Sequence, residues 1–254
     1  MMNVHAIRAI YAFEMARTRR TLMQSIISPV LSTSLYFIVF GGAIGSRIPE
    51  IGGVSYGAFI VPGLIGVITM IIAALLTSLC IAREWENGTM EQLLSTPVRP
   101  AELAMGKLVA YFLLGAVDMT IALLVSVFVF DVPIKGSVPL LLFSSAIFLF
   151  GGMAWGIFIS AGQRNQMAAY QMGTFTSFLP AFLLSGFVYS IQNMPVVIQT
   201  IALFVPARYF INIAKGVFLK GIGLRILWFD LLLLVVYGLG MFYFATRKLR
   251  QKVA

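Results

Sequence analysis

The sequence predicts an all-α membrane protein with six transmembrane helices. Of its 254 residues, 60% are hydrophobic and 11% are charged, whereas soluble domains are about 45–50% apolar and about 25% charged. The mean hydropathy is +0.96. A water-soluble fold could not bury this much apolar surface, so the chain must be surrounded by lipid.

Six apolar runs are long enough to cross the hydrocarbon core of a bilayer, which takes about 20 residues of helix. Polar or charged residues separate each run from the next. The six runs cover residues 22–44, 57–81, 104–130, 137–160, 168–190 and 226–245.

The distribution of Lys and Arg predicts the orientation, because cytoplasmic loops collect these residues. Four precede the first run, three lie between the second and third or at the very start of the third, one lies between the fourth and fifth, and four follow the sixth. These are twelve of the eighteen, and they place both termini in the cytoplasm. The net charge of +9 does not indicate nucleic acid, since the cations flank apolar runs and no nucleic-acid-binding motif occurs.

Residues 1–21 are predicted to form an amphipathic helix that lies on the membrane. Apolar side chains recur at roughly helical spacing from Val4 to Phe13, and arginines follow. Such a helix suits an anionic inner leaflet.

Residues 191–206 are predicted to form a re-entrant element before the last span. Pro195 and Pro206 bound the mostly apolar stretch VVIQTIALF, residues 196–204. Its nine residues would reach only about 14 Å as a helix, too short to cross. The alternative is a seventh span over residues 207–223, which its three cations disfavour. All predicted segments belong to a single transmembrane domain, residues 1–254.

The most informative hydrophilic stretch covers residues 83–97. Glu84, Glu86 and Glu91 lie close to the second apolar run, and apolar residues alternate with them. Proline follows at position 97 and can end a helix. The pattern fits either a short amphipathic helix with its acidic face toward the cytosol or a solvated connecting loop.

Residues 86–107, ENGTMEQLLSTPVRPAELAMGK, resemble the signature of ABC type-2 transporter permeases. The matching core is an acidic residue, Gly88, Thr89, Glu91 and the Leu-Leu pair that follows. Residues 28–66 and 184–210 resemble other parts of the bacterial drug- and polysaccharide-exporter branch, in the same order. The resemblance therefore extends over nearly the whole chain.

The resemblance implies the membrane subunit of an ATP-driven exporter in a bacterial inner membrane. Members have six helices, an N-terminal amphipathic helix, a cytoplasmic coupling helix and a re-entrant element. They work as dimers, here expected to be homodimers, with two ATPase subunits. By analogy, the ATPase-coupling interface would consist of Glu84, Glu86, Gly88, Thr89 and Glu91. The implied cargo is a drug, a lipid or a polysaccharide carrier.

The chain itself is expected to carry no catalytic residue, no metal site and no cofactor. No Gly-x-x-x-x-Gly-Lys-Ser/Thr stretch is present, so ATP and Mg²⁺ would bind on a separate ATPase chain. One cysteine, Cys80, and one histidine, His5, are too few for a thiolate cluster or a hydrolytic triad.

Asp118 lies near the middle of the third apolar run, where a carboxylate must face protein or water. With Tyr111 it shares a small, polar helix face, a possible translocation path. Asp118 is either a functional site or a structural acid bonded to a neighbouring hydroxyl or amide.

An ion-coupled secondary transporter that uses Asp118 is the alternative function. A lipid-modifying enzyme is a third hypothesis that the poor inventory of His, Asp and Cys disfavours.

Overall fold

A computed structural model describes residues 3–20, 27–39, 50–51, 54–189 and 191–253. These residues form ten α-helices and a two-stranded antiparallel ribbon of two residues per strand. The helices are α1 Val4–Arg20, α2 Ser28–Tyr36, α3 Tyr56–Glu86, α4 Thr89–Leu94, α5 Pro100–Phe128, α6 Val138–Gly162, α7 Gln166–Leu183, α8 Val196–Ala202, α9 Pro206–Lys215 and α10 Leu224–Val253. The ribbon pairs β1 Glu50–Ile51 with β2 Val54–Ser55; a 3₁₀ turn covers Ile191–Asn193, and a π-helical turn covers Gly216–Lys220.

The central feature of the fold is α3, which packs along α6 and is largely buried. Gly156 of α6 lies against α3 so closely that a Cβ there would fall 2.5 Å from the Ala74 carbonyl oxygen. The Thr77 hydroxyl lies at the same contact and donates to the Met153 carbonyl at 2.9 Å. Small residues thus let the two backbones approach, as membrane helices commonly do.

Four of the described helices are long and apolar enough to cross a membrane: Ile60–Glu86, Pro100–Phe128, Val138–Gly162 and Leu224–Gln251. They correspond to the second, third, fourth and sixth predicted spans. A fifth crossing is possible if α8 and the helix that follows it form one bent span. The chain is therefore a membrane protein whose described residues, apart from the short ribbon, form helices, with four or five candidate spans.

The other two predicted spans are less complete. Most of the predicted first span, 22–44, lies outside the described residues or in the short helix α2, Ser28–Tyr36. The predicted fifth span, 168–190, contains α7, whose 18 residues measure about 27 Å. Its polar residues lower its hydropathy, and it is not among the four long apolar helices.

The segment before α10 is longer than the predicted re-entrant element at 191–206. After α8, the chain bends by 85° and continues as a helix from Pro206 to Lys220. This second arm packs into the core, where Phe210 stacks on Phe148 with ring centroids 4.4 Å apart. A re-entrant loop and a broken span both fit this geometry.

Helix α1 lies along the first half of α5. A Cβ at Gly106 would fall 2.8 Å from the Cβ of Ile10 and 3.2 Å from the carbonyl oxygen of Ile7, so only glycine allows this approach. Val4 and Phe13 on the other side of α1 are 72% and 63% exposed. Exposed apolar residues suit a helix that lies on a membrane surface.

Candidate coupling site

The predicted coupling segment forms a hairpin between α3 and α5. Gly88 lies in the turn between α3 and α4. Its φ of +71° is in the left-handed region, which glycine adopts without steric cost. The six residues of α4 follow, and Pro100 then opens α5 at its first turn, where proline is favoured.

Helix α4 is fixed to the rest of the protein on one face and exposed on the other. Met90 is fully buried in the apolar cluster at this end of the bundle. The Thr89 hydroxyl donates to the carboxylate of Glu84 in α3. Glu91 is exposed, and no described residue bonds its side chain. The outward face of α4 is therefore free to meet a partner.

A buried ion cluster lies beneath α4, where α1, α3 and α5 meet. The Lys107 ammonium of α5 donates to Glu84 Oε1 at 3.0 Å and to the carboxylate of Glu14 in α1. The side chains of all three residues are at most 5% exposed. A lysine buried this deeply is tolerable only because two carboxylates surround its charge.

Two further groups complete the cluster. Arg17 Nη1 donates to Glu84 Oε1 at 3.3 Å, and its side chain is 30% exposed. The Tyr111 hydroxyl donates to Glu14 Oε2 at 3.3 Å. Two cations thus balance two carboxylates, and one connected network joins three helices that are far apart in sequence.

A second set of contacts attaches the start of α7 to the end of α3. The backbone amide of Gln166 donates to Glu86 Oε2 at 2.6 Å, and Arg83 Nε donates to Gln166 Oε1 at 3.1 Å. Arg164 stacks over the ring of Trp85 at 4.9 Å, a cation–π contact. Movement of α3 at this end would therefore also displace α7.

The five predicted interface residues are close together but not equivalent. Glu86, Gly88 and Glu91 are exposed, and Thr89 is half-buried. Glu84 is 4% exposed and is held by Lys107, Arg17 and Thr89. Its carboxylate therefore points into the protein, where it joins α3 to α1, α4 and α5, and is not exposed on the outward face of the hairpin.

The sequence interpretation did not assign Glu14, Arg17 or Lys107 to the site. A signal for them exists, because Glu14 is the one acidic residue among the first 49 and lies in a basic helix. Lys107 is likewise a lone cation inside an apolar stretch. Two lone charges of opposite sign in apolar surroundings are candidates for a buried pair.

Asp118 and Tyr111, the predicted path residues, have different partners. Asp118 is 4% exposed and accepts a 2.9 Å hydrogen bond from the Thr33 hydroxyl of α2. Tyr111 bonds instead to the ion cluster. The Asp118 contact is the one expected of a structural acid bonded to a hydroxyl.

A cavity of about 870 Å³ lies at the opposite end of the molecule, where α10 begins. Its polar wall includes Arg208, Lys215 and Asp230. Asn212 donates to Asp230 Oδ2 at 2.5 Å, and Lys215 Nζ donates to the Gly186 carbonyl at 3.0 Å. Among the described residues, no three His, Cys, Asp or Glu side chains are grouped so as to hold a metal ion.

The sequence of the chain is similar to those of several known permeases. The chain is 45% identical to the probable multidrug ABC transporter permease YbhS of Escherichia coli over an alignment of 163 residues. This alignment covers 64% of the chain. The chain is 36% identical over 181 residues to YbhR, a protein of the same description, and 33% identical over 194 residues to the inner membrane transport permease YhhJ, both from Escherichia coli. These two alignments cover 71% and 76% of the chain.

The aligned regions are 43%, 49% and 51% of the lengths of YbhS, YbhR and YhhJ, so the chain spans about half of each relative. The family model described as ABC-2 type transporter matches residues 5–219, which include α1, the coupling hairpin, the ion cluster and the bent segment before α10. The chain therefore belongs to the ABC-2 type transporter family.

Proposed function

We propose that this chain is the membrane-spanning permease subunit of an ATP-binding cassette exporter. Its substrate would be hydrophobic or amphiphilic: a drug, a lipid or a polysaccharide carrier. A separate ATPase subunit would bind ATP and Mg²⁺ and hydrolyse the nucleotide. The family and the names of its relatives as permeases support this proposal.

The observation that carries the proposal is the construction of the coupling hairpin. An exposed helix, α4, rests on a buried cluster that links α1, α3 and α5. Force applied to α4 from the cytosol would reach three membrane-associated helices together, because breaking the cluster would leave buried charges unpaired. Nucleotide binding at the ATPases could then bias the permease between two arrangements.

The proposed topology has six spans and cytoplasmic termini, in a bacterial inner membrane. The first and fifth spans would contain α2 and α7, and the bent segment of α8 and α9 would be re-entrant. The proposed assembly is a homodimer with two ATPase subunits. The substrate path would pass beside Asp118 and Tyr111 on α5.

The test is to purify the tagged chain from its native membrane in mild detergent and identify any ATPase that accompanies it. The wild type is compared with Glu91→Lys. Glu91 is suitable because it is exposed, whereas replacing Glu86 would also remove the contact with Gln166. The control is Arg225→Glu, an equally large change of charge at the exposed beginning of α10.

An ATPase that accompanies the wild type and Arg225→Glu, but not Glu91→Lys, supports both the exporter and the interface. Retention by Glu91→Lys would leave the exporter standing and remove α4 as its docking surface. If crosslinked, folded wild-type protein brings down no ATPase, the exporter proposal is wrong.

A further inference from the structure

A basic cavity of about 670 Å³ lies between the beginning of α5 and the end of α10. Arg99, Arg247 and Arg250 line it, together with Thr246 and Tyr243. No acidic side chain is among the described residues of its wall. The carboxylate of Glu102, two residues into α5, accepts hydrogen bonds from the backbone amides of Asn3 and Arg99.

The position of this cavity along α10 matches the boundary between lipid and water. Tyr243 lies 19 residues after the start of α10 at Leu224, or about 28 Å along the helix axis. The hydrocarbon core is about 30 Å thick. A tyrosine at this depth is typical of the headgroup layer, and the arginines extend from there toward water.

A second, apolar groove of about 270 Å³ lies against the same two helices, nearer the middle of the membrane. Phe112 of α5 and Leu239 of α10 form its sides, and Ala146 and Ile147 of α6 contribute to its wall. Leu239 is one helical turn from Tyr243 and is 62% exposed. The groove thus opens toward the lipid just below the basic cavity.

The geometry points to a binding site for an anionic phospholipid at the seam between α5 and α10. Its phosphate lies in the basic cavity among the three arginines, and one acyl chain lies in the apolar groove. Neither feature alone would select this ligand. Arginine clusters bind phosphate in many settings, whereas an apolar groove at hydrocarbon depth fits the tail of a lipid.

This site does not depend on the transport function, because it requires only that the charged end of α10 lies in a headgroup layer. It is separate from the ion cluster, whose lysine and carboxylates are buried and paired with each other. A bound lipid would connect α5 to α10 from outside the bundle.

The experiment is native mass spectrometry of the purified, delipidated chain with phosphatidylglycerol or phosphatidylcholine that carry identical acyl chains. The test variant combines Arg99→Gln, Arg247→Gln and Arg250→Gln. The control variant combines Lys135→Gln, Lys220→Gln and Arg225→Gln, which removes the same charge from exposed positions outside α1 and outside the cavity. A third variant, Ala146→Phe, fills the groove without changing the charge.

We expect the wild type and the control to prefer phosphatidylglycerol. The test variant should bind it roughly a hundredfold more weakly, since each basic residue near an anionic headgroup contributes about a fivefold factor in affinity. Ala146→Phe should weaken the binding of long-chain phosphatidylglycerol but leave any competition by inorganic phosphate unchanged.

Several outcomes would overturn the site. Equal binding of the two lipids by the wild type, which needs no variant to fold, excludes an anionic headgroup. If the control variant loses as much affinity for phosphatidylglycerol as the test variant, the lipid is attracted by the charge of the whole surface and not by this cavity. Displacement of the lipid by inorganic phosphate, together with unchanged lipid binding by Ala146→Phe, means that the cavity binds phosphate and that the groove holds no acyl chain. If the test variant binds lipid as the wild type does but loses a co-purifying protein, the three arginines belong to a protein interface.

Discussion

At the scale of single residues, Lys107 is the centre of the buried ion cluster beneath the candidate coupling site. It is 2% exposed and contacts two carboxylates from different helices. A buried ion pair adds little net stability compared with apolar residues, but removal of one partner strands the other charge. The cluster is therefore better understood as fixing the arrangement of α1, α3 and α5 than as raising stability.

Lys107→Met should lower the free energy of unfolding by about 3–5 kcal/mol, because Glu14 and Glu84 would be left buried with insufficient positive charge. Thermal unfolding of the purified protein in detergent measures this. Lys220→Met, at an exposed position, is the control and should change stability by less than about 0.5 kcal/mol. Adding Glu14→Gln to Lys107→Met should recover part of the loss. Equal stability of the two lysine variants would show that the cluster is not a buried network.

At the scale of elements, the contact between α1 and α5 decides whether α1 is part of the coupling unit. This contact consists of the pairing of Glu14 with Lys107 and the close approach of Ile10 to Gly106. A helix held in this way moves with α5, whereas a helix held by lipid alone would not.

Gly106→Ala should loosen α1 from α5, because the new methyl group would fall 2.8 Å from the Ile10 Cβ and overpacking costs about 1–3 kcal/mol. Hydrogen exchange of residues 4–20 should accelerate by roughly tenfold. Gly240→Ala is the matched control, since its Cβ would meet nothing within 4 Å, and alanine favours a helix over glycine. Unchanged exchange in Gly106→Ala would mean that α1 is not docked as described.

How far the sequence predicts these elements depends on the kind of signal. Four spans follow from apolar length alone, because lipid forces every spanning segment to be long, apolar and helical. The ion pair between Glu14 and Lys107 does not follow from apolar length. The two residues are 93 positions apart, and they meet only because α1 packs against α5. Similarly, residue patterns identify Glu84 as acidic and near the membrane but do not reveal that it points inward.

At the scale of the whole molecule, the contacts of α7 support a crossing that its hydropathy leaves open. Its first residue, Gln166, is bonded to Arg83 and Glu86 at the coupling end. Gly186, three residues beyond its last, is bonded to Lys215 beside the cavity where α10 begins. These two points lie at opposite ends of the bundle, so α7 extends from one to the other.

Labelling of introduced cysteines can decide between two six-span topologies. If α7 crosses and the bent segment is re-entrant, Gln192→Cys should react with a membrane-impermeant maleimide in intact spheroplasts, whereas Ser95→Cys in the coupling hairpin should react only after permeabilisation. Cys80 is 1% exposed and should give little background. If α7 stops short and the bent segment crosses instead, both cysteines would need permeabilisation, although the C-terminus would still be cytoplasmic. Because the two topologies differ on which side residue 192 lies, that one position tests whether α7 or the bent segment is the fifth span.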